Sequence, residues 1–146
     1  MKYLVDANVI SALAPTKAER PAALVGWLDR RSDDLFVSVV TAAEIRAGVA
    51  KAARHGATRK AKALASWWAA VEHLYGDRVL PLDLKAATIA VKLADRAAAT
   101  GRAPAFADVA IAATAEANGP TLLTRNVRDF KAICDQVIDP CEALPE

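Results

Sequence analysis

The chain has 146 residues, close to the length of one ordinary domain, and carries 19 Lys and Arg against 17 Asp and Glu. The resulting net charge of +2 excludes a strongly basic nucleic-acid-binding arm and an acidic tail. Hydrophobic residues make up 54%, with much alanine, which predicts a packed, helix-rich core.

Apolar runs along the chain are short and interrupted by charged residues. None reaches the roughly 18 apolar residues that cross a bilayer, and the start of the chain resembles a strand more than a secretion signal. Cys134 and Cys141 form no CxxC pair and lie near no histidine, which argues against zinc and for reduced thiols. We therefore expect a cytoplasmic protein without a membrane segment.

Short segments rich in β-branched and aromatic residues predict five strands, at residues 2–5, 35–40, 78–82, 121–124 and 136–138. Alanine-rich stretches with helical spacing separate them. Such alternation predicts an α/β fold in which helices cover both faces of a parallel sheet.

Start and stop signals set the limits of the predicted helices. Pro21 and Asp83 are typical of helix starts, Thr41 opens another helix, and Gly76 and Gly119 are typical of helix ends. The predicted helices cover residues 21–31, 41–55, 58–75, 83–100 and 104–118.

Several carboxylates and one amide lie just after predicted strands or in the first turns of predicted helices. Asp6 follows the first strand, Glu44 and Asp108 lie in the first turns of helices, and Asn126 and Asp129 follow the fourth strand. Since parallel strands end at one edge of a sheet, where ligands bind, these side chains can meet there. Oxygen ligands without histidine or cysteine favour a hard cation such as Mg²⁺ or Mn²⁺.

Asp6 and Glu44 each have a purely structural alternative. Asp6 can cap a helix that starts near Asn8. Glu44 lies three residues after Thr41, the spacing of a capping box. Both alternatives stay open from these residues alone.

Asp108 can be an acid stabilised by the dipole of its helix. It also interrupts the apolar stretch of residues 106–112, which is otherwise suited to burial. A buried acid needs a partner, so we interpret Asp108 as functional, whereas Asp83 is interpreted as a helix cap.

Other chemistries have weak support. His55 and His73 have no paired acid, and no phosphate-binding glycine loop is present. Basic residues at 51–55 and 59–62 favour a solvated helix surface, with phosphate contact as the alternative. The Trp67–Trp68 pair suits a core or an interface better than base stacking, because it lies within a helix. This alanine-rich helix is also expected to offer more apolar surface than one small sheet covers, which favours self-association.

Several stretches together resemble the PIN-domain ribonucleases, and most closely the VapC-type toxins of toxin–antitoxin pairs in the FitB-like plasmid-stability branch. The matching stretches are residues 3–10 (YLVDANVI), 40–48 (VTAAEIRAG), 101–102 (GR), 106–113 (FADVAIAA) and 122–130 (LLTRNVRDF).

The resemblance implies one PIN-like domain over residues 1–146, with a five-stranded parallel sheet in the order 3-2-1-4-5. It implies an endoribonuclease that hydrolyses tRNA or rRNA with Mg²⁺ or Mn²⁺ and leaves a 5′-phosphate. It also implies a homodimer and a small antitoxin partner that blocks the site.

The family motif carries over to Asp6, Glu44 and Asp108 as the acidic cluster and to Thr124 as a supporting hydroxyl. The family often has a fourth acid where this chain has Asn126. This departure leaves the second metal position short of one negative charge.

The resulting hypothesis is metal-assisted in-line hydrolysis. Asp6 and Asp108 hold the principal ion, Glu44 completes its shell directly or through water, and Asn126 is a further candidate ligand. Asn8 and Asp129 support the site. The spacing of Asn126 and Asp129 predicts that Asn126 caps a short helix and that backbone donors in its first turn hold the Asp129 carboxylate. Crowding of these acids predicts at least one raised carboxyl pKa without metal.

Two other classes stay open. A haloacid-dehalogenase-like phosphatase also starts with an aspartate after its first strand, but needs a second aspartate where this chain has Asn8. A catalytically weak PIN-fold binding module would agree with Asn126.

Overall fold

The computed structural model describes residues 1–17 and 19–146. The strands are β1 (Tyr3–Val5), β2 (Leu35–Ser38), β3 (Val79–Leu80), β4 (Thr121–Leu123) and β5 (Val137–Ile138). The helices are α1 (Ala7–Ile10), α2 (Ala22–Arg30), α3 (Val39–Arg54), α4 (Thr58–Tyr75), α5 (Leu84–Ala99), α6 (Phe106–Asn118) and α7 (Val127–Phe130). Among these residues, no helix combines the length and apolarity needed to cross a membrane.

The five strands form one parallel sheet in the order β3-β2-β1-β4-β5. Tyr3 pairs with Leu35 of β2 on one side and with Thr121 of β4 on the other. The predicted α/β fold and the strand order implied by the resemblance are therefore confirmed. Because the order reverses between β1 and β4, the residues that follow these two strands lie side by side at one edge.

Alternate side chains of β1 enter the two layers of the core. Tyr3 and Val5 pack with Trp27 and Trp68 on the face covered by α2 and α4. Leu4 packs on the other face, which α5 and α6 cover. The short central strand is thus apolar at every position because both of its faces are buried.

The tryptophan pair of α4 does not form an exposed apolar surface. Trp68 is only 2% exposed, and its ring lies 5.8 Å from that of Trp67, which packs against the same core. The expectation that this pair offers surplus apolar surface is therefore wrong. Exposed apolar side chains occur on α5, where Leu84 and Val91 are 84% and 70% exposed, and at Leu74 near the end of α4, which is 63% exposed.

The junction between β2 and α3 differs from the prediction. The strand ends at Ser38, whose side chain accepts a hydrogen bond from the Val40 backbone N–H at 2.9 Å and caps the helix. Thr41 is fully buried, and its hydroxyl has no hydrogen-bond partner among the described residues. The Thr41–Glu44 capping box is therefore wrong, and Glu44 lies in the second turn of α3 and not in the first.

Other boundaries differ by small amounts. Each remaining strand is shorter than predicted, and β3 stops before Pro81, which has no backbone N–H to donate. Phe106, at the start of α6, is 71% exposed. The apolar face of that helix therefore begins after Asp108, at Val109.

Candidate active site

Asp6 lies where β1 ends, beside the end of β4. Its backbone N–H donates to the Leu123 carbonyl at 2.9 Å, which extends the sheet by one bond. One carboxylate oxygen accepts from the Ala7 N–H at 2.8 Å and the other from the Thr124 hydroxyl at 2.7 Å. Asp6 thus caps α1, which starts at Ala7, next to Asn8, as expected, and is also held against β4.

Thr124 is the centre of a small buried network. Its hydroxyl donates to Asp6 and accepts from the Asn8 side-chain amide at 3.3 Å and from the Asn126 backbone N–H at 3.1 Å. The Asn8 carbonyl oxygen accepts from the Arg125 N–H at 3.1 Å. One donor and two acceptor positions use the full capacity of a hydroxyl, so the carboxylate of Asp6 has one fixed orientation.

Burial opposes the negative charge of Asp6. The side chain is 6% exposed, and this desolvation raises its pKa above the ordinary 3.8, against the lowering effect of its bonds to Thr124 and Ala7. Ionisation of Asp6 therefore lowers the stability of the fold, and a nearby positive charge would offset this loss.

Glu44 and Asp108 approach Asp6 from two different helices. Partial burial raises the pKa of Glu44, and the charges of Asp6 and Asp108 raise it further. Burial likewise raises the pKa of Asp108, followed by the charges of Asp6 and Asp129. The predicted raised carboxyl pKa is confirmed, and these acids form one electrostatic cluster, which we call the carboxylate centre.

Asn126 and Asp129 follow β4, but the described residues show neither a capping bond from the Asn126 side chain nor a backbone donor to the Asp129 carboxylate. Asn126 occupies the cap position of α7 without a capping bond from its side chain. No described residue donates a hydrogen bond to the Asp129 carboxylate, which lines a depression together with Asp108. The interpretation that backbone donors hold Asp129 is therefore wrong, because its charge acts on Asp108 instead.

The carboxylate centre suits a hard cation in its donor chemistry. All its ligating atoms are oxygens, and in the described part of the chain none of Asp6, Glu44, Asp108 and Asp129 forms an ion pair. Across residues 1–17 and 19–146, however, no group of three or more such side chains converges closely enough to hold a metal as it stands. The oxygen donors and negative charge of these residues suit a divalent ion. Their side chains do not, however, lie close enough together to form a complete coordination shell.

A cleft of about 540 Å³ between α3 and α4 has Glu44 in its wall. Lys17, Lys51 and Lys60 line the same cleft. The basic clusters of α3 and α4 were visible in the sequence, but the arrival of Lys17 from the loop after α1 was not. Only the tertiary packing of that loop brings it there.

Comparisons with known proteins agree with this geometry. The PIN domain family matches residues 3–136. The chain is 35% identical to the VapC ribonuclease Y4jK of Sinorhizobium fredii, covering 95% of this chain and 97% of that protein. It is 34% identical to Toxin FitB of Neisseria gonorrhoeae, covering 94% and 96%. The crystal structure of FitAcB from Neisseria gonorrhoeae superposes with a TM-score of 0.83 at 33% identity, covering 95% and 98%.

Proposed function

Because the chain belongs to the PIN-domain family, we propose that it is a Mg²⁺- or Mn²⁺-dependent endoribonuclease that acts as the toxin of a toxin–antitoxin pair. Relatives that share a third of its residues over nearly its full length are named as a VapC ribonuclease and as Toxin FitB. The proposed reaction is hydrolysis of RNA phosphodiester bonds.

The observation that carries this proposal is a group of buried or partly buried acids without an ion-pair partner in the described part of the chain. Asp6, Glu44 and Asp108 come from three separate elements, and each has a raised pKa with burial as the first cause. The charges of neighbouring acids add to this for Glu44 and Asp108. Buried structural acids are normally paired with cations, so acids that lie near one another without such a partner favour a site that binds a cation.

Each residue has a separate proposed role. Asp6, fixed by Thr124 and Ala7, presents its remaining lone pairs in one direction and is the principal ligand. Asp108 is the second ligand, and Glu44, exposed in the second turn of α3, completes the shell or orients a water. Bound there, a divalent ion supplies Lewis-acid polarisation of the phosphate and activation of a water nucleophile.

The fourth ligand position has two candidates. Asn126 has a side-chain oxygen but no charge, and that side chain makes no capping bond. Asp129 adds a negative charge next to Asp108. We therefore extend the proposed ligand set to Asp129, with Asn126 as an accessory oxygen.

Asn8 does not support the phosphatase alternative. Its amide nitrogen donates to Thr124 and its oxygen accepts from the Arg125 N–H, so both ends are used in positioning the loop. An amide also cannot transfer the proton that the second aspartate of such phosphatases transfers.

The proposed partners follow from the same family membership. We propose a small antitoxin as the inhibitor, tRNA or rRNA as the substrate class, and hence action in the cytoplasm. We also propose a homodimer. Leu84 and Val91, seven residues apart on one face of α5 and largely exposed, support a protein contact on that helix.

The experiment is incubation of the purified chain with mixed cellular RNA in Mg²⁺, with and without EDTA, followed by end-group analysis. Metal-dependent cleavage that leaves 5′-phosphates supports the proposal. Hydrolysis of small phosphate monoesters without RNA cleavage would favour the phosphatase, and metal binding without any turnover would favour the binding module.

A further inference from the structure

The cleft between α3 and α4 is lined largely by apolar side chains, but it also contains basic side chains that the carboxylate centre does not explain. Glu44, at the carboxylate centre, forms part of its wall. Lys17, Lys51 and Lys60 supply three positive charges against the single negative charge of Glu44. The three lysines are exposed, and none forms an ion pair within the described residues. The cleft is therefore a site of net positive charge that begins at the proposed reaction centre.

One face of α3 extends from the carboxylate centre to the basic side chains of the cleft. Glu44, Gly48, Lys51 and His55 follow one another at intervals of four, three and four residues, so they share one face of α3. Lys51 is two helical turns from Glu44, about 10 Å along the axis. That distance is roughly the length of two or three nucleotides.

The floor of the cleft is apolar while its rim is basic. Ile45, Leu64 and the partly exposed Trp67 line the bottom. Proteins that bind single strands use this division, with lysines on the phosphates and aromatic or apolar side chains against the bases. A duplex presents no unstacked bases to such a floor.

A second depression on the other side of the carboxylate centre is electrically different. Arg102 and Arg128 line it together with Asp108 and Asp129. Without a metal, its two cations are matched by two carboxylates, whereas the α3–α4 cleft has three lysines against one carboxylate. The α3–α4 cleft is therefore the more basic of the two in the metal-free chain.

We propose that the α3–α4 cleft binds the single-stranded RNA segment flanking the scissile phosphate, with Lys51 and Lys60 as phosphate-positioning residues. This inference rests on the proposed ribonuclease function and adds the surface that orients its substrate. The surplus positive charge favours RNA over an apolar protein segment as the occupant.

Two pairs of substitutions separate this role from general electrostatics. Lys51→Gln with Lys60→Gln removes one charge from each of α3 and α4 inside the cleft. Arg54→Gln with Lys62→Gln removes one charge from each of the same helices at exposed positions that do not line it. Net charge changes equally in both variants, so a difference between them reports the cleft.

A third variant obstructs the cleft without changing charge. A Cβ at Gly48 would meet no atom within 4 Å, so Gly48→Gln fits the fold while placing a side chain between Glu44 and Lys51. Replacing glycine in a helix interior also favours the helix, by about 1 kcal/mol on general propensities. We therefore expect Gly48→Gln to stay folded, and an unchanged urea midpoint would assign a loss of RNA binding to obstruction of the cleft.

The measurement is the anisotropy of a labelled 12-nucleotide single-stranded RNA, titrated in EDTA at several salt concentrations. Each phosphate contact contributes about 0.7 to the slope of log affinity against log salt. The cleft pair should therefore lower the slope by about 1.4 and weaken binding about tenfold near 0.15 M salt. The control pair should retain most of the parent slope, and Gly48→Gln should weaken binding.

A cleavage assay and a metal titration complete the test. The cleft pair should raise KM for RNA about tenfold with kcat little changed, and Mn²⁺ affinity should match that of the parent. Equal effects of the cleft and control pairs on RNA affinity would overturn the inference. So would normal RNA binding by the cleft pair combined with loss of affinity for the cognate antitoxin, which would make the cleft a protein-docking surface. Failure of the parent to cut RNA would instead refute the proposed function, and the binding comparison would still be decided separately.

Discussion

Replacement of Thr124 by valine tests how the fold holds the carboxylate of Asp6. Thr124 is fully buried, and its hydroxyl donates to the Asp6 carboxylate at 2.7 Å. Thr124→Val keeps the shape of the side chain and removes that donor. It also removes the acceptor used by the Asn8 amide and the Asn126 N–H.

The expected loss of stability is large for a substitution that replaces one hydroxyl by a methyl group. A hydrogen bond to a charged group is worth about 1.5–3 kcal/mol, and leaving buried groups unpaired adds to that. We expect the free energy of unfolding to fall by about 2–4 kcal/mol near pH 7.5.

The loss should depend on pH in a known direction. The folded pKa of Asp6 lies above its ordinary 3.8 because of burial, so ionisation lowers stability as pH rises through this interval. The bond from Thr124 lowers that pKa, and its removal raises the pKa further. The variant should therefore lose more stability than the parent between about pH 4 and pH 7.5, and the difference between the two should be smallest at about pH 4.

Thr114→Val is the matched control. Thr114 is also fully buried, but its hydroxyl donates at 2.8 Å to the Ala110 carbonyl within the same helix and contacts no carboxylate. Its loss should be within about 1 kcal/mol and independent of pH. Urea unfolding of the parent and both variants at the two pH values gives the comparison. Equal losses for the two threonines, or a Thr124→Val loss unchanged at low pH, would refute the reasoning.

The remaining predictions concern the carboxylate centre and assembly. Asp6→Asn, Glu44→Gln and Asp108→Asn should each lower RNA cleavage about a hundredfold or more while urea midpoints hold or rise, because charge repulsion is relieved; full activity of any one would remove that residue from the ligand set. In calorimetric titration, Asn126→Asp should tighten Mn²⁺ binding and Asp129→Ala should weaken it, and the reverse pattern would exclude Asp129 as a ligand. Mn²⁺ affinity should rise with pH above the ordinary carboxyl values of 3.8 and 4.5, since protons compete for groups with raised pKa values; an affinity that stays flat in this range would contradict it. Sedimentation at micromolar concentration should show a dimer, and a clean monomer would contradict that proposal.

The strand ends were predictable because their pattern is local. Each strand is a short apolar segment bounded by polar residues, and in a parallel sheet such segments all end at one edge. That reasoning correctly brought the segments after β1 and β4 together, and Asp6 contacts Thr124 directly.

The start of α3 could not be located in the same way. Ser38 and Thr41 are both good caps, and the intervening Val39 and Val40 favour strand. Both side chains are fully buried, and among the described residues only the Ser38 hydroxyl finds a donor, the Val40 N–H, so Ser38 is the cap. Local propensity does not say which of two good caps finds its donor.

The sequence also did not predict which charged side chains lie close together in the fold. The spacing of Asn126 and Asp129 predicted a capped helix start, whereas the charge of Asp129 acts on Asp108 from another helix. Similarly, the lysines of α3 and α4 are exposed, as expected for a solvated helix surface, but the sequence did not predict that Lys17 lines the same cleft. Both outcomes depend on the packing of elements that are distant in sequence.

The most direct test of the central claim compares RNA cleavage by the parent chain and by Asp6→Asn, each with Mg²⁺ and with EDTA. Asp6 is the acid with the most defined geometry, and Asn retains its size and one acceptor oxygen, so it keeps one of the two hydrogen bonds from Thr124 and Ala7. Removal of the buried charge offsets the loss of the other bond. The account predicts cleavage by the parent in Mg²⁺ only and almost none by the variant, with equal unfolding midpoints or a higher one for the variant. Cleavage that persists in EDTA, or a folded Asp6→Asn variant with parental activity, would contradict a metal-dependent carboxylate centre.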